Sequence, residues 1–327
     1  MHRLVSLFIG TLLAAFASVA TSEEIAVGNY GVSANGMPFG VALVKGYFKE
    51  EGLNITGLIT SAGGGTSLRN MLAGGGVPYG EVNPGVVISA IQAGADLKII
   101  NDNVLTVAEF VWAVKPDSPI KSVKDFKGKK IGYTNPRSTS QALARMLLQA
   151  GGYTEADAEL VKTGGFGEGI AALDSGQIDV AAITEPLWSK VKHKYRAVVV
   201  ASEVLPPLDN VVGVTTVEMA EKKGDFLRAV IRARRKAVKF MIANPDEAAE
   251  IVAKQYNIEL DVAKSAVRNL TTSKTKGVPY WGEGQIHMEG LKRMIEAQRS
   301  VGAITGEVDY NKIIDTRFLP DDLKAIK

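Results

Sequence analysis

Sliding the chain against itself by 102 residues, without a gap, lays Gly63 on Gly165, Gly65 on Gly167, Leu68 on Ile170, Gly74 on Gly176 and Pro84 on Pro186. Asn83 then falls on Glu185. Each matched Gly or Pro stands at a predicted turn, where backbone geometry restricts the choice of residue. The same order of strand, loop and helix lies between the matches, so the repeat predicts two similar units rather than one continuous sheet. At 327 residues the chain is long enough for two cores.

Apolar patterning fills in the first unit. Strands are expected at 24–30, 53–60, 77–82 and 97–101, with helices at 38–50, 68–73 and from 84 to about 94. A Val- and aromatic-rich strand at 109–115 leads to a Pro-Asp-Ser-Pro boundary at 116–119. The pattern then restarts: strand 129–133, helix 141–149, strand 158–161, helix to Leu173, strand 178–183, helix from Glu185. Strands at 195–200 and 209–216 follow, and the second would carry the chain back to the first unit. From 217 onward helical periodicity dominates, in segments 217–243, 246–256, 260–271 and 283–300. Alternation joined by short Gly-rich turns predicts an α/β fold with mostly parallel strands.

Two such units imply a cleft, and in open α/β sheets ligands sit beyond the carboxyl ends of the strands. The loops expected there come in pairs: 31–37 with 134–140, 61–67 with 163–167, and Asn83-Pro84 with Glu185-Pro186. The stretch 129–151 is the most telling. Its loop holds Ser138, Thr139 and Ser140 directly before a helix, where free backbone N–H groups and a positive dipole suit an anion. One of the three is equally expected as an N-cap. Arg69 or Arg137 would supply a counter-charge. Glu185 argues against a plain multivalent anion, because a buried carboxylate facing one is costly; a zwitterion or amine-bearing ligand reconciles the two. The alternative for Glu185 is a helix-start carboxylate in solvent. Phe166, Tyr280 and Trp281 are either stacking surfaces or hydrophobic anchors.

A formal net charge of +3 gives no electrostatic case for nucleic acid. The basic helix with Arg228, Arg232, Arg234, Arg235, Lys236 and Lys239 carries an apolar stripe of Leu227, Val230, Ile231 and Val238, so its charges read as a solvated face. Residues 1–20 read as an export signal: Arg3, an apolar run over 4–16, and a small-x-small site at 18–20. With no cysteine in the chain there is no disulfide, thiolate or lipidated Cys. His193 and His287 lack metal-ligand spacing and read as surface or structural, so no metal or cofactor is expected. No Ser-His-Asp order, GxSxG, HExxH or Walker lysine is present.

Several segments carry a family resemblance. VKGYFKEEGL (44–53), the Gly-rich 61–67 loop, IKSVKDFKGKKI (120–131), LDSGQIDV (173–180) and Thr184-Glu185-Pro186 resemble the periplasmic substrate-binding proteins of ABC transporters for nitrate, taurine and alkanesulfonates, the SsuA/TauA and THI5-like group. The likeness covers residues 25–200 well and the C-terminal helices loosely. It implies a type II periplasmic-binding-protein fold: residues 21–112 plus 212–327 form one discontinuous lobe, 113–211 the other, with hinges at 109–115 and 209–216. It also implies a monomer in the periplasm that delivers one small molecule to a membrane permease and ATPase without enzyme activity; the alternatives are a thiamine-pyrimidine-related binder or THI5-like enzyme, or a sensory binding protein that feeds a membrane receptor. The cysteine-rich motif on which THI5-like enzymes depend does not appear, the chain having no cysteine. Family binding positions carry over loop by loop to Asn35, Gly65, Thr66, Asn83, Ser138, Thr139, Ser140 and Glu185; Phe166 and, at the start of the second hinge strand, Asn210 complete the candidate ligand-binding residues. Thr184 stands where relatives often have an aromatic residue, which weakens transfer of a taurine or sulfonate assignment.

Overall fold

The computed structural model describes residues 23–61, 64–73 and 77–324. The expected export signal lies outside them, as do Ala62, Gly63 and Gly74. The first unit contains β1 (Glu23–Gly28), α1 (Met37–Val44), α2 (Tyr47–Glu50), β2 (Ile55–Ser61), α3 (Gly64–Ala73), β3 (Gly80–Val82), α4 (Pro84–Gln92) and β4 (Leu97–Val104). The chain crosses over into β5 (Phe110–Val114), β6 (Lys130–Tyr133), α5 (Thr139–Ala150), β7 (Glu159–Lys162), α6 (Phe166–Asp174), β8 (Ala181–Thr184), α7 (Leu187–Val191), β9 (Arg196–Val200) and α8 (Ala201–Val204). It returns through β10 (Val211–Thr216) to α9 (Val217–Lys222), α10 (Gly224–Ala243), α11 (Pro245–Tyr256), α12 (Leu260–Thr272) and α13 (Met288–Ser300).

The repeat is visible in the strand order. The first sheet runs β2-β1-β3-β10-β4. In the second unit β8-β5-β9 form one sheet and β6-β7 a pair, and a parallel bridge between Ile131 and Val180 joins them in the sequence β7-β6-β8-β5-β9. The two orders match position for position. The fourth strand in each is the one that crosses between units, β10 in the first and β5 in the second.

The expectation of mostly parallel strands is corrected by these two. β1 pairs β2 and β3 in parallel, and β6 pairs β7 in parallel. β10 is antiparallel to β3 and β4, and β5 is antiparallel to β8 and β9. The cause is direction of travel. β1, β2, β3, β6, β7 and β8 end where the units face each other, whereas β5 and β10 begin there, straight from the crossover.

Local breaks explain the other departures. The helix expected over 38–50 stops at Gly46, whose φ of 74° is left-handed, and restarts as α2. The helix expected over 283–300 begins at Met288, five residues later than its periodicity suggests.

Ile25, Val27, Phe39, Ile99, Val212 and Val230 centre the first core; Trp112, Phe126, Ile131, Leu143 and Leu147 centre the second. Burial of each such side chain contributes about 1.5–3 kcal/mol. α13 serves both: Leu291 and Ile295 enter the first core and Met294 the second. Arg234, assigned by periodicity to the solvated face of α10, is instead 1% exposed. The stripe itself is apolar as expected, and Arg234 is tolerated within it because carbonyls and a carboxylate await its guanidinium.

Candidate ligand-binding cleft

The three hydroxyls before α5 occupy three different positions. Ser138 is the N-cap and accepts from the Gln141 N–H at 3.2 Å. Ser140, buried, turns back to Thr134, accepting from its N–H at 3.0 Å, with the two hydroxyls 2.8 Å apart. Thr139 reaches across to the first unit: its Oγ1 accepts from Asn83 Nδ2 at 2.9 Å and donates to Asn210 Oδ1 at 3.2 Å. Asn83 is the N-cap of α4, accepting from the Gly85 N–H at 2.8 Å, and its amide also donates to the Asn210 carbonyl at 3.0 Å. The N-termini of α4 and α5 therefore meet over Asn210, the residue just before β10.

Glu185, the repeat partner of Asn83, also reaches the opposite unit. It is 2% exposed, which excludes the solvent-facing alternative. Oε1 accepts from the Ser189 hydroxyl at 3.0 Å and from Asn269 Nδ2, on α12 of the first unit, at 2.8 Å; Oε2 accepts from the Ser189 N–H at 3.1 Å. Ser189 continues to Ser265 of α12, which Lys192 also contacts. Burial raises the Glu185 pKa, and these donors pull against the rise. Equivalent positions in the repeat thus make reciprocal ties between the units.

The remaining expected residues make other contacts. Asn35 is buried and donates to the Gly28 carbonyl at 3.0 Å and to Glu81 Oε1 at 2.8 Å. Gly65 lies inside the first turn of α3, and Thr66 accepts from Arg69, whose guanidinium is thereby held over its own helix start. Phe166 opens α6 and packs on Phe110 with ring centroids 6.0 Å apart; Phe110 in turn stacks on Trp112. Arg137 is exposed.

Sequence reasoning did not single out the acids behind this face. Glu81, on β3, has no exposure and takes Asn35 and Asn103 as donors, with Arg234 Nε 3.9 Å away. Arg234 also donates to the Asn103 and Gly282 carbonyls at 2.6 and 2.7 Å. Burial pushes Glu81 up to about 7, against the pull of the guanidinium. Glu109, just before the crossover strand β5, is 3% exposed; its Oε1 accepts from Asn210 Nδ2 at 2.5 Å, and its Oε2 makes no well-formed hydrogen bond, with the Tyr280 hydroxyl near the carboxyl. Burial pushes Glu109 up to about 8. Asp102 and Asp209 face one another, and burial lifts both, Asp209 to about 8. The His287 N–H donates to Asp102 at 2.6 Å and its ring contacts Asp209 at 3.2 Å, so His287 is structural. The available signal was a carboxylate inside an apolar strand, as in Tyr79-Gly80-Glu81-Val82 and Glu109-Phe110-Val111. Among the described residues no cluster of three or more His, Cys, Asp or Glu is arranged to hold a metal ion.

With this geometry in hand, comparison with known proteins decides the family. A model of the NMT1/THI5-like family matches residues 33–248. The chain belongs to that family. Among curated relatives of this NMT1/THI5-like protein, the riboflavin-binding protein RibY of Chloroflexus aurantiacus is 24% identical over 297 residues, covering 86% of this chain and 82% of RibY. The formylaminopyrimidine-binding protein of Halalkalibacterium halodurans is 27% identical over 227 residues, covering 65% and 64%. Among solved structures, the periplasmic aliphatic sulphonate binding protein SsuA of Escherichia coli superposes with a TM-score of 0.74 at 20% identity, over 90% of this chain and 91% of that one. The fold is that of the periplasmic binding proteins, two α/β lobes with a cleft between them. Among the described residues no helix is long and apolar enough to cross a membrane.

Proposed function

We propose that this NMT1/THI5-like protein is the solute-binding component of an ABC importer, capturing one small anionic or zwitterionic organic molecule in the periplasm and delivering it to a permease and ATPase. It acts as a monomer and by binding alone. The observation that carries this reading is the pair of reciprocal ties between the lobes, Asn83 to Thr139 and Glu185 to Asn269, both at loops where a ligand would lie. A ligand touching both lobes favours the closed form by its differential contacts. Asn35, Gly65, Thr66, Asn83, Ser138, Thr139, Ser140, Phe166, Glu185 and Asn210 line the proposed cleft. Three buried carboxylates near it, Glu81, Glu109 and Glu185, against the exposed Arg69 and Arg137, favour a zwitterion over a simple anion.

A thermal-shift screen of the mature protein against sulfonates, aminosulfonates, nitrate, carboxylates and pyrimidines tests this. A true ligand at a thousandfold over its dissociation constant stabilises by about 4 kcal/mol, and small-angle scattering of the same sample should show contraction or retention of the closed form. Turnover of a panel member without any shift in the melt would replace the binding reading with an enzymatic one.

A further inference from the structure

Resting on that binding reading, we infer that Glu109 reads the ligand, and that the ligand offers it an N–H donor: an amine, an amide or a ring N–H of a nitrogen heterocycle.

The crossover into the second lobe and the segment around Tyr280 lie against each other. The Leu105 N–H donates to the Tyr280 carbonyl at 2.8 Å, and Val104 bridges Trp281. These two segments carry two buried polar atoms without hydrogen-bond partners, Thr106 Oγ1 and Trp281 Nε1, and two more, Glu109 Oε2 and Tyr280 OH, that make no well-formed hydrogen bond although the two side chains stand close enough to interact. Native interiors leave few such atoms, and several in one place mark a site whose partner comes from outside. Glu109 is fixed on one side only. Asn210 Nδ2 holds Oε1, and Asn210 itself is tied to Asn83 of one lobe and Thr139 of the other, so the free Oε2 belongs to the seam on which closure acts. No Lys or Arg acts on this carboxyl among the described residues. Burial keeps this carboxyl protonated to about pH 8 in the ligand-free fold, and an N–H donor brought to Oε2 favours its ionised form, in which that oxygen accepts and a second anion is repelled. Glu185, the other acid at the seam, has three donors and serves the tie between lobes instead. Tyr280, whose hydroxyl stands close enough to Glu109 for each to affect the other's ionisation, is the internal competitor for Oε2.

The test uses matched probes on the whole mature protein: taurine against ethanesulfonate, aminopyrimidine against its dimethylamino derivative, and lumiflavin against its ring-N-methylated derivative. Calorimetric affinities of wild type, E109Q and Y280F are compared. Wild type should prefer the N–H-bearing member of whichever pair binds by about 10- to 100-fold, the range for a hydrogen bond to a charged group, and E109Q should bring the two members close to equal. E109D, which keeps the acid but withdraws it, is the second variant if E109Q does not fold, and should lose most of the preference. Equal binding of both members by wild type, a preference for the blocked member, or a preference that survives E109Q or E109D overturns the inference while the binding reading stands. Equal loss of thermal stability in E109Q and Y280F with discrimination intact also overturns it, by making Tyr280 the fixed partner of Glu109. If none of the six probes binds wild type, the binding reading for these classes falls and the inference falls with it.

Discussion

Ser138, Thr139 and Ser140 are chemically near neighbours, yet the folded chain gives one to a helix end, one to the opposite lobe and one to the loop behind it. Their substitutions should therefore separate. S138A removes an N-cap and is expected to lower stability by about 1 kcal/mol in denaturant melts, with a smaller loss of ligand affinity than T139A. T139A removes bonds that exist only between the lobes, so it should leave the melt nearly unmoved and weaken ligand binding by about 3- to 10-fold, the equivalent of a neutral hydrogen bond. The reverse pattern in calorimetry would assign the cap and the cross-lobe contact the other way round. The sequence displays a hydroxyl cluster ahead of a helix, which is enough to locate the loop. Which hydroxyl caps depends on where the first turn starts, two residues earlier than the periodicity of 141–149 suggests.

Helix α10 shows what periodicity reads well and what it misses. Its apolar face is buried as the spacing of Leu227, Val230, Ile231 and Val238 requires, and Arg232, Arg235 and Lys236 pair with surface acids at Glu51, Glu283, Asp322 and Glu50. Exposed pairs of this kind contribute roughly 0–1 kcal/mol each. Arg234 is different, since it neutralises Glu81 and closes two carbonyls within the core. R234M leaves that acid without its buried counter-charge and takes the guanidinium's bonds from those carbonyls, and should cost about 3–5 kcal/mol in urea unfolding, whereas R232M should cost under about 1 kcal/mol. Equal effects would place Arg234 back among the surface charges. A helical wheel cannot show this, because the partners come from β3 and the 282 turn, both remote in sequence. Strand direction escaped for a similar reason: nothing local in Phe110–Val114 says that it enters its sheet from the cleft side.

At the scale of the whole molecule, the joint between the lobes is rich in buried acid. Glu109 and Asp209 titrate near 8 in the folded protein because burial disfavours their charged forms. An unfolded chain releases those protons in the ordinary carboxylate range, near 4. Between about pH 4.5 and 8 the folded state thus holds more protons than the unfolded one, and stability falls as pH rises through that window. Thermal melts should give a higher midpoint near about pH 5.5 than near about pH 8.5, and a midpoint that climbs over this range would mean that these acids are ionised in the fold. The two-lobed architecture was legible from the 102-residue repeat, since turn glycines and prolines are constrained by backbone geometry alone. The acids at the joint were not, because a carboxylate's role there depends on how little water and how few donors the fold leaves around it.

The bond between Glu109 and Asn210 brings the first residue before β5 and the last before β10 within 2.5 Å, side chain to side chain. The chain leaves the first lobe and rejoins it at one point. The second lobe is in that sense a cassette, with both of its ends at a single junction.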